Sequence, residues 1–186
     1  GQANVRWTSP FNGGRDISSY IITSSPPGGL VNITNTTAVV TGLTDGSNYT
    51  FTIKAINLAG ESSGTVSNQV MPFTTPSEPV NLTGIAGNGF VDLSWNAPLS
   101  TGGRDISSYI IQTSIDLSNW LDSSTNATTR FKRVSDLSNG TLYYFRVYAR
   151  NLAGDGLLSN VINEIPFTVP DAPINVIVDV SGISGQ

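Results

Sequence analysis

A ten-residue stretch recurs unchanged in this chain of 186 residues and sets the size of its folding unit. Residues 13–22 read GGRDISSYII, and the same letters return at residues 102–111, an offset of 89. Two shorter matches recur at an offset of 94, namely residues 57–60 with 151–154 and residues 72–74 with 166–168. A period near 90 residues is too long for a solenoid repeat and fits one small domain per repeat. The chain is therefore predicted to hold two copies of one domain.

The end of the chain reads on into its beginning. Residues 183–186 followed by residues 1–7 align with residues 85–95 over eleven positions without a gap, with Ile, Gly and Trp identical at the key points. We therefore interpret the 186 residues as one period of a longer array, cut inside a domain. Such a chain is expected to be a building block of something extended.

The composition predicts an all-β fold and disfavours several classes of function. Charged residues make up 12% of the chain, while Ser, Thr, Asn and Gly separate short runs rich in Val, Ile, Thr and aromatic residues. The net charge is −4 and Lys and Arg do not cluster, so no binding to nucleic acid is expected. No apolar run approaches ~18 residues, so no membrane insertion is expected either.

Cysteine and histidine are both absent from the sequence. Without Cys there is no disulfide scaffold and no thiolate metal site. Without His the commonest general base and the Ser-His-Asp triad are missing. The Asp-Gly pairs at Asp45 and Asp155 are interpreted as turns, because no carboxylate cluster accompanies them to bind calcium. We therefore expect no enzymatic activity, no cofactor and no metal site.

Alternating apolar residues predict the buried strands. Val91, Leu93 and Trp95 alternate with polar residues, which places the apolar set on one face of a strand. The longest pattern, LxxGxxYxFx(I/V)xAxN, occurs at residues 43–57 and again at residues 137–151. This pattern predicts a turn at Gly that leads into a long, half-buried strand.

Tyr49 and Tyr143 stand six residues after a Leu, at the entrance of these long strands. The spacing matches the tyrosine corner of Greek-key sandwiches, in which the hydroxyl bonds back to upstream backbone. Together with Trp7 and Trp95 and the repeated GGxxIxxYxI stretch, these residues resemble the fibronectin type III family over essentially the whole chain. The resemblance implies an all-β chain of tandem, immunoglobulin-like Greek-key sandwiches. The Gly-, Thr- and Asn-rich loops look like those of prokaryotic repetitive surface or filament proteins.

The resemblance also implies the domain boundaries. Residues 1–75 would form a first domain without its own strand A, residues 76–169 a complete second domain, and residues 170–186 strand A and the turn of the next domain. The candidate residues for strand donation or continuation lie in that last segment: Pro173, Ile174, Val176 and Val178.

The first domain is expected to borrow its missing strand. Each buried apolar side chain of that strand contributes about 1.5–3 kcal/mol, against about 5–15 kcal/mol for a whole domain. The strand would come from a preceding unit of the same polypeptide, or from the tail of a separate subunit by donor-strand complementation. Either way the partner is the chain itself, in a head-to-tail contact that does not close and builds filaments.

The linkers and loops lead to further expectations. Residues 72–79 and 166–173 hold three prolines each, which predicts stiff connections, with Phe73 and Phe167 as candidates for packing at the domain junction. The loop pairs Arg15-Asp16 and Arg104-Asp105 are interpreted as local ion pairs rather than as a ligand site.

Two residues of the second copy stand out from the pattern. Trp120 is interpreted as packing on a strand C′, with a sugar-stacking platform as the alternative. Lys132 stands where the first copy has Ala38, at an inward position of strand E. Either a bulge at Phe131 brings the neighbouring ring into the core, or Lys132 snorkels along the sandwich edge.

Asn-x-Ser/Thr sequons predict possible glycosylation sites in a secreted protein. They occur at six positions: Asn32, Asn35, Asn48, Asn81, Asn126 and Asn139. Asn32, Asn35 and Asn126 are expected in loop-like stretches between strands C and E.

The sequence favours a structural function. We expect a repeat unit of an extracellular filament or cell-surface stalk. The alternatives are an adhesin that binds a surface glycan or a protein ligand, and a spacer module of a secreted polysaccharide-degrading enzyme.

Overall fold

The computed structural model describes residues 1–126 and 129–178, and that part of the chain contains β-strands and no helix. The strands follow one another as β1 (Gln2–Arg6), β2 (Ser19–Ser25), β3 (Leu30–Thr34), β4 (Thr37–Thr41), β5 (Thr50–Asn57), β6 (Gly60–Glu61), β7 (Thr65–Val66), β8 (Val80–Gly87), β9 (Phe90–Asn96), β10 (Ser108–Ser114), β11 (Leu121–Asn126), β12 (Phe131–Val134), β13 (Tyr143–Asn151), β14 (Gly154–Leu158) and β15 (Ile162–Glu164). Every pair is antiparallel, which confirms the predicted all-β sandwich class.

The first sandwich packs the sheet β1-β4-β3 against a sheet in which β5 pairs with β2, β6 and β7. Inward residues alternate with exposed ones along each strand, as at Ala38 and Val40 of β4. The buried core residues are Val5, Ile22, Ala38, Val40, Leu43, Tyr49 and Phe51.

The second sandwich packs the sheet β12-β9-β8 against the sheet β11-β10-β13-β14, with β15 also paired to β13. Its buried core residues are Leu82, Val91, Leu93, Trp95, Tyr109, Ile111, Phe145, Val147 and Ala149. Trp95 meets Tyr109 edge-on at 5.5 Å between ring centres, as Trp7 meets Tyr20 at 5.0 Å in the first sandwich.

The edge strand between strand C (β2 or β10) and strand E (β4 or β12) joins different sheets in the two domains. In the first, Asn35 adopts a φ of 55° in a two-residue turn between Thr34 and Thr37, so β3 folds back onto β4. In the second, the turn comes earlier, and Thr113 pairs with Leu121 to place β11 on β10. The side chain of Asp116 shapes this earlier turn, because its carboxylate accepts the backbone N–H groups of Ser118 and Asn119.

Lys132 stays in register on β12 and pairs with the buried Leu93 of β9. No bulge interrupts this pairing, and the neighbouring Phe131 is half exposed opposite Ser94. The expectation of a bulge that turns Phe131 into the core was therefore wrong. Lys132 occupies the inward register while remaining partly exposed, which its long apolar stem permits.

Candidate functional site

The two domains meet in a junction built by three segments. These are the Asp45-Gly46 turn of the first domain, the linker 72–79, and the loop at Gly102-Gly103-Arg104 of the second domain. The Gly46 N–H donates to the carbonyl of Pro72 at 2.9 Å, which ties the turn to the linker. The Thr74 N–H donates to the carbonyl of Gly102 at 2.8 Å, which ties the linker to the second domain.

Glycine is required where the two backbones touch. A Cβ on Gly103 would lie 2.2 Å from the backbone nitrogen of Gly46, and one on Gly102 would lie 2.2 Å from the carbonyl oxygen of Thr74. All three glycines also have positive φ values, 79°, 79° and 70° for Gly46, Gly103 and Gly102. The junction is therefore a close backbone contact that larger residues would prevent.

Asn151 locks the linker onto the second domain from beneath. Its side-chain nitrogen donates to the carbonyls of Thr74 and Thr101, both at 2.8 Å, and the residue is only 4% exposed. Its side-chain oxygen accepts the N–H of Ala153 at 2.8 Å. A buried amide with its donors and acceptor satisfied is a specific, rigid contact.

The rest of the linker is bound along its length. The Ser77 N–H donates to the carbonyl of Ser100 at 3.0 Å, and the Ser100 N–H donates to Ser77 Oγ at 3.1 Å. The Leu157 N–H donates to the carbonyl of Pro76 at 3.2 Å, and the Pro76 and Pro79 rings are fully buried. The linker is therefore fixed to the second domain by hydrogen bonds as well as by its prolines.

Arg104 contacts the linker and forms no ion pair. Its guanidinium carbon lies 4.7 Å from the centre of the Phe73 ring. Among the described residues, neither Arg104 with Asp105 nor Arg15 with Asp16 comes within salt-bridge distance. The interpretation of these two pairs as local ion pairs was wrong, and Arg104 meets an aromatic ring of the linker instead.

The same residue types lie at the open end of the first domain. Asn57 donates to the carbonyl of Asn12 at 2.9 Å and accepts the N–H of Ala59 at 2.9 Å, the counterparts of two bonds of Asn151. Gly13, Gly14 and Arg15 stand where the second domain has Gly102, Gly103 and Arg104. Next to them is a cleft of about 230 Å³ lined by Phe11, Ile17, Ile56, Asn57 and Gly60, among others.

The far end of the second domain repeats the other half of the junction. The Gly140 N–H donates to the carbonyl of Pro166 at 2.8 Å, as Gly46 does to Pro72. Pro166 is fully buried, whereas Phe167 is 63% exposed. The two outer ends of this chain thus carry the two halves of the contact that joins its domains.

Tyr49 and Tyr143 hold the turns next to these ends. The Thr44 N–H donates to the hydroxyl of Tyr49 at 3.1 Å, and the Ser138 N–H donates to the hydroxyl of Tyr143 at 3.1 Å. These bonds span five residues and fix the turn that carries Gly46 or Gly140.

The first domain has an open sheet edge, and residues 170–178 are an exposed segment with several apolar residues. Among the described residues β1 pairs with β4 alone, whereas its counterpart β9 pairs with β12 on one side and β8 on the other. Residues 170–178 form no strand and are exposed. The tail residues named above are therefore accessible, with Ile174 at 84%, Val176 at 78% and Val178 at 86% exposure.

Trp120 and Asp116 of the second domain are both engaged in contacts within the chain. The guanidinium of Arg146 lies 3.8 Å from the ring centre of Trp120 and covers one of its faces, and the indole N–H donates to the carbonyl of Leu117. The pKa of Asp116 is held well below its usual range, chiefly by the backbone N–H of Asn119.

Within the described ranges no group of three or more His, Cys, Asp or Glu residues could hold a metal ion. Nor does that part of the chain hold a helix long and apolar enough to span a membrane.

The sequons differ in their surroundings. Asn32 lies in β3, and Asn126 ends β11, so the expectation of loops was wrong at these two positions. Asn35 is exposed in a turn, Asn48 is exposed shortly before β5, and Asn81 is exposed with a φ of 57°.

Asn139 differs from the other sequons because its side chain is already engaged. Its side-chain nitrogen donates to Asn88 Oδ1 at 2.8 Å, and its oxygen accepts the N–H of Gly89 at 2.9 Å. A glycan there would compete with the first of these bonds.

Comparison with known sequences and structures agrees with this architecture. The family model described as "Fibronectin type III domain" matches residues 1–70 and 74–165. Myomesin-2 of Homo sapiens is 34% identical over 63% of this chain, and Chitinase A1 of Niallia circulans is 36% identical over 66%. The chain spans 8% and 18% of the lengths of these two proteins. A crystal structure of titin domains superposes with a TM-score of 0.53 at 22% identity, over 81% of this chain and 56% of that one, which shows the fold alone.

Proposed function

Because this chain belongs to the fibronectin type III family, as two tandem domains, we propose that it is a structural repeat unit of an extracellular filament or cell-surface stalk. The units assemble head-to-tail, by covalent repetition or by strand donation. In this proposal the chain catalyses no reaction of its own, and its location is extracellular or at the cell surface.

The matching of the two outer ends carries the proposal. Gly140 and Phe167 at one end correspond to Gly46 and Phe73, and Arg15 and Asn57 at the other correspond to Arg104 and Asn151. A second unit placed on the first would therefore find the residues that already build the junction inside the chain. Repetition of one heterologous contact produces a linear assembly.

The test is the shape of chains that carry one, two and three copies joined end to end. Small-angle X-ray scattering should show a longest dimension that grows by the same increment with each copy. In a matched control, residues 166–173 between copies are replaced by a Gly-Ser sequence of equal length, which should give a shorter and more variable dimension. A wild-type series that compacts, or that matches the flexible control, would contradict the proposal.

The two modes of assembly differ in the mass of the natural material. Strand-donating subunits would separate under denaturing conditions into chains that each carry one two-domain period, about 19.6 kDa of sequence. A covalent array would keep a mass many times larger after glycan removal.

A spacer module of a secreted polysaccharide-degrading enzyme is the second candidate, favoured by the similarity to Chitinase A1. This candidate requires a catalytic domain in the same open reading frame. The adhesin alternative has less support, since Arg146 already occupies one face of Trp120.

A further inference from the structure

The open edge of β1 borders a small cleft in the first domain. The cleft is lined by Asn4, Val5, Phe51, Asn68 and Val70, among others. In the second domain the corresponding space is closed by β8, which pairs with β9 and buries Leu82 to 2% exposure. The first domain therefore has an open cleft, which we call the slot, at the place where the second domain has a strand.

An asparagine holds that strand in the second domain. The Leu82 N–H donates to Asn160 Oδ1 at 3.2 Å, and Asn160 Nδ2 donates to the carbonyl of Leu82 at 3.1 Å. The preceding Ser159 anchors this clamp, because its hydroxyl accepts the N–H of Val147 at 3.0 Å. One amide side chain thus satisfies both backbone groups of a residue that has left the regular ladder.

The first domain carries the same Ser-Asn pair without a strand to hold. The hydroxyl of Ser67 accepts the N–H of Phe51 at 3.0 Å. Within the described residues, the side chain of Asn68 makes a single hydrogen bond, to the carbonyl of Gln69 at 3.3 Å. Ser159 accepts the N–H of Val147, whose counterpart in the first domain is Ile53. Ser67 instead accepts the N–H of Phe51, two residues before Ile53 on β5. The amide of Asn68 is therefore placed to hold an incoming strand two residues further along.

Residues 173–178 match the sequence of that strand and share one left-handed residue with it. Pro173 to Val178 align with Pro79 to Gly84, and Asn175 has a φ of 55° where Asn81 has 57°. In this alignment Val178 replaces Gly84, two residues beyond the counterpart of Leu82.

The change in size at this position fits the change in the slot. In the second domain Gly84 pairs with Leu93, and a Cβ there would lie 2.8 Å from Ile162 Cδ1. In the first domain the residue corresponding to Leu93 is Val5, which lines the open cleft. Because Val5 is smaller than Leu93, a valine at this position has more room in the first domain than in the second.

We propose that this slot binds residues 173–178 of a second copy of the chain, with the amide of Asn68 paired to both backbone groups of Val178. The side chains of Val176 and Val178 face into the domain, and Ile177 faces outward like the exposed Thr83. The inference rests on the proposed head-to-tail assembly and names the residues that make it.

The first test uses the 186-residue chain with Val178→Asp, whose own tail cannot fill the slot of another copy, and a fluorescent peptide of residues 166–178, with binding followed by anisotropy. Val176→Asp or Val178→Asp in the peptide should weaken binding about ten- to a hundredfold, the effect of losing a buried valine. Ile177→Asp is the matched control and should change binding far less, because it alters the outward face. Asn68→Ala in the chain should weaken binding about tenfold, with Asn32→Ala as its control. Equal losses for the Ile177 and Val178 peptides would overturn the proposal, as would no binding.

A second test asks whether whole chains recognise each other. A tail-defective chain (Val178→Asp) mixed with a slot-defective chain (Asn68→Ala) should form one-to-one pairs in sedimentation experiments, while each alone stays monomeric. Association that survives both changes in one chain would mean that two β1 edges pair directly, and would overturn the proposal. If the mixed chains form no pairs but the longest dimension of the multi-copy chains still grows uniformly, the proposed slot is wrong and the filament function still stands.

Discussion

Arg104 of the second domain lies over the ring of Phe73 in the linker, with 4.7 Å between the guanidinium carbon and the ring centre. The contact lies beside the close approach of Gly46 to Gly103 and holds the linker against the second domain. Its counterpart Arg15 contacts no aromatic ring within the described part of the chain.

Arg104→Ala should loosen the junction, and Arg15→Ala in the same chain should not. The loss of a cation–π contact at a partly exposed site costs about 0.5–1 kcal/mol. Residual dipolar couplings should show a less uniform orientation of the two domains for Arg104→Ala alone. Equal effects of the two substitutions would mean that the arginine acts within its loop and not through Phe73.

Gly103→Ala and Gly14→Ala separate backbone strain from contact between the domains. The two glycines have similar φ values, 79° and 83°, so alanine is strained at both. A Cβ at Gly103 would meet Gly46, whereas one at Gly14 has nothing within 4 Å. Gly103→Ala should therefore cost at least about 1 kcal/mol more in urea unfolding of the chain. A smaller difference would show that the junction yields to a methyl group.

Tyr49→Phe and Tyr143→Phe should each destabilise their own domain. Each change removes a hydroxyl that accepts a backbone N–H at 3.1 Å, a loss of about 0.5–1.5 kcal/mol. Tyr20→Phe serves as the control, because its hydroxyl bonds the exposed Ser9. Urea denaturation of the three variants provides the measurement. A destabilisation by Tyr20→Phe as large as the others would argue against a special role of the two corners.

The pair of Asp92 and Arg133 should make the stability of the second domain depend on pH. Hydrogen bonds from Arg133 at 2.7 and 2.6 Å lower the pKa of Asp92 from its ordinary 3.8. A carboxyl whose pKa is lowered in the folded state stabilises the fold at pH values above its pKa in the unfolded state. That contribution is lost as the pH falls below about 4. Asp92→Asn should flatten this part of the profile of unfolding free energy against pH. An unchanged profile would mean that other carboxyls dominate acid unfolding.

The sequence predicted the sandwich fold well because its signals are local. Alternation at Val91, Leu93 and Trp95 marks a strand, and all three are buried in the second core. The sequence did not predict that β3 pairs with β4 whereas β11 pairs with β10. The pairing depends on whether the chain turns after the edge strand, as it does after β3, or before it, as it does before β11. β3 is exposed at four of its five residues, so its pattern does not specify which sheet it joins.

The site was harder to predict because its partners are distant in sequence. Arg104 is adjacent to Asp105, which suggested an ion pair, but Phe73 is brought beneath it by the path of the linker. Asn68 and Asn160 were not identified as a clamp, although the repeated Ser-Asn dipeptide was a signal for them. A residue that bonds a strand outside the regular ladder leaves no periodic pattern.

The bound linker also determines how tension would pass through a string of such units. A pull along the chain would first load the bonds of Thr74 to Gly102, Ser77 to Ser100 and Leu157 to Pro76. The strand β8 begins directly after these bonds, at Val80. The hydrogen bonds of each linker would therefore break first and lengthen the chain slightly, before force reaches either hydrophobic core.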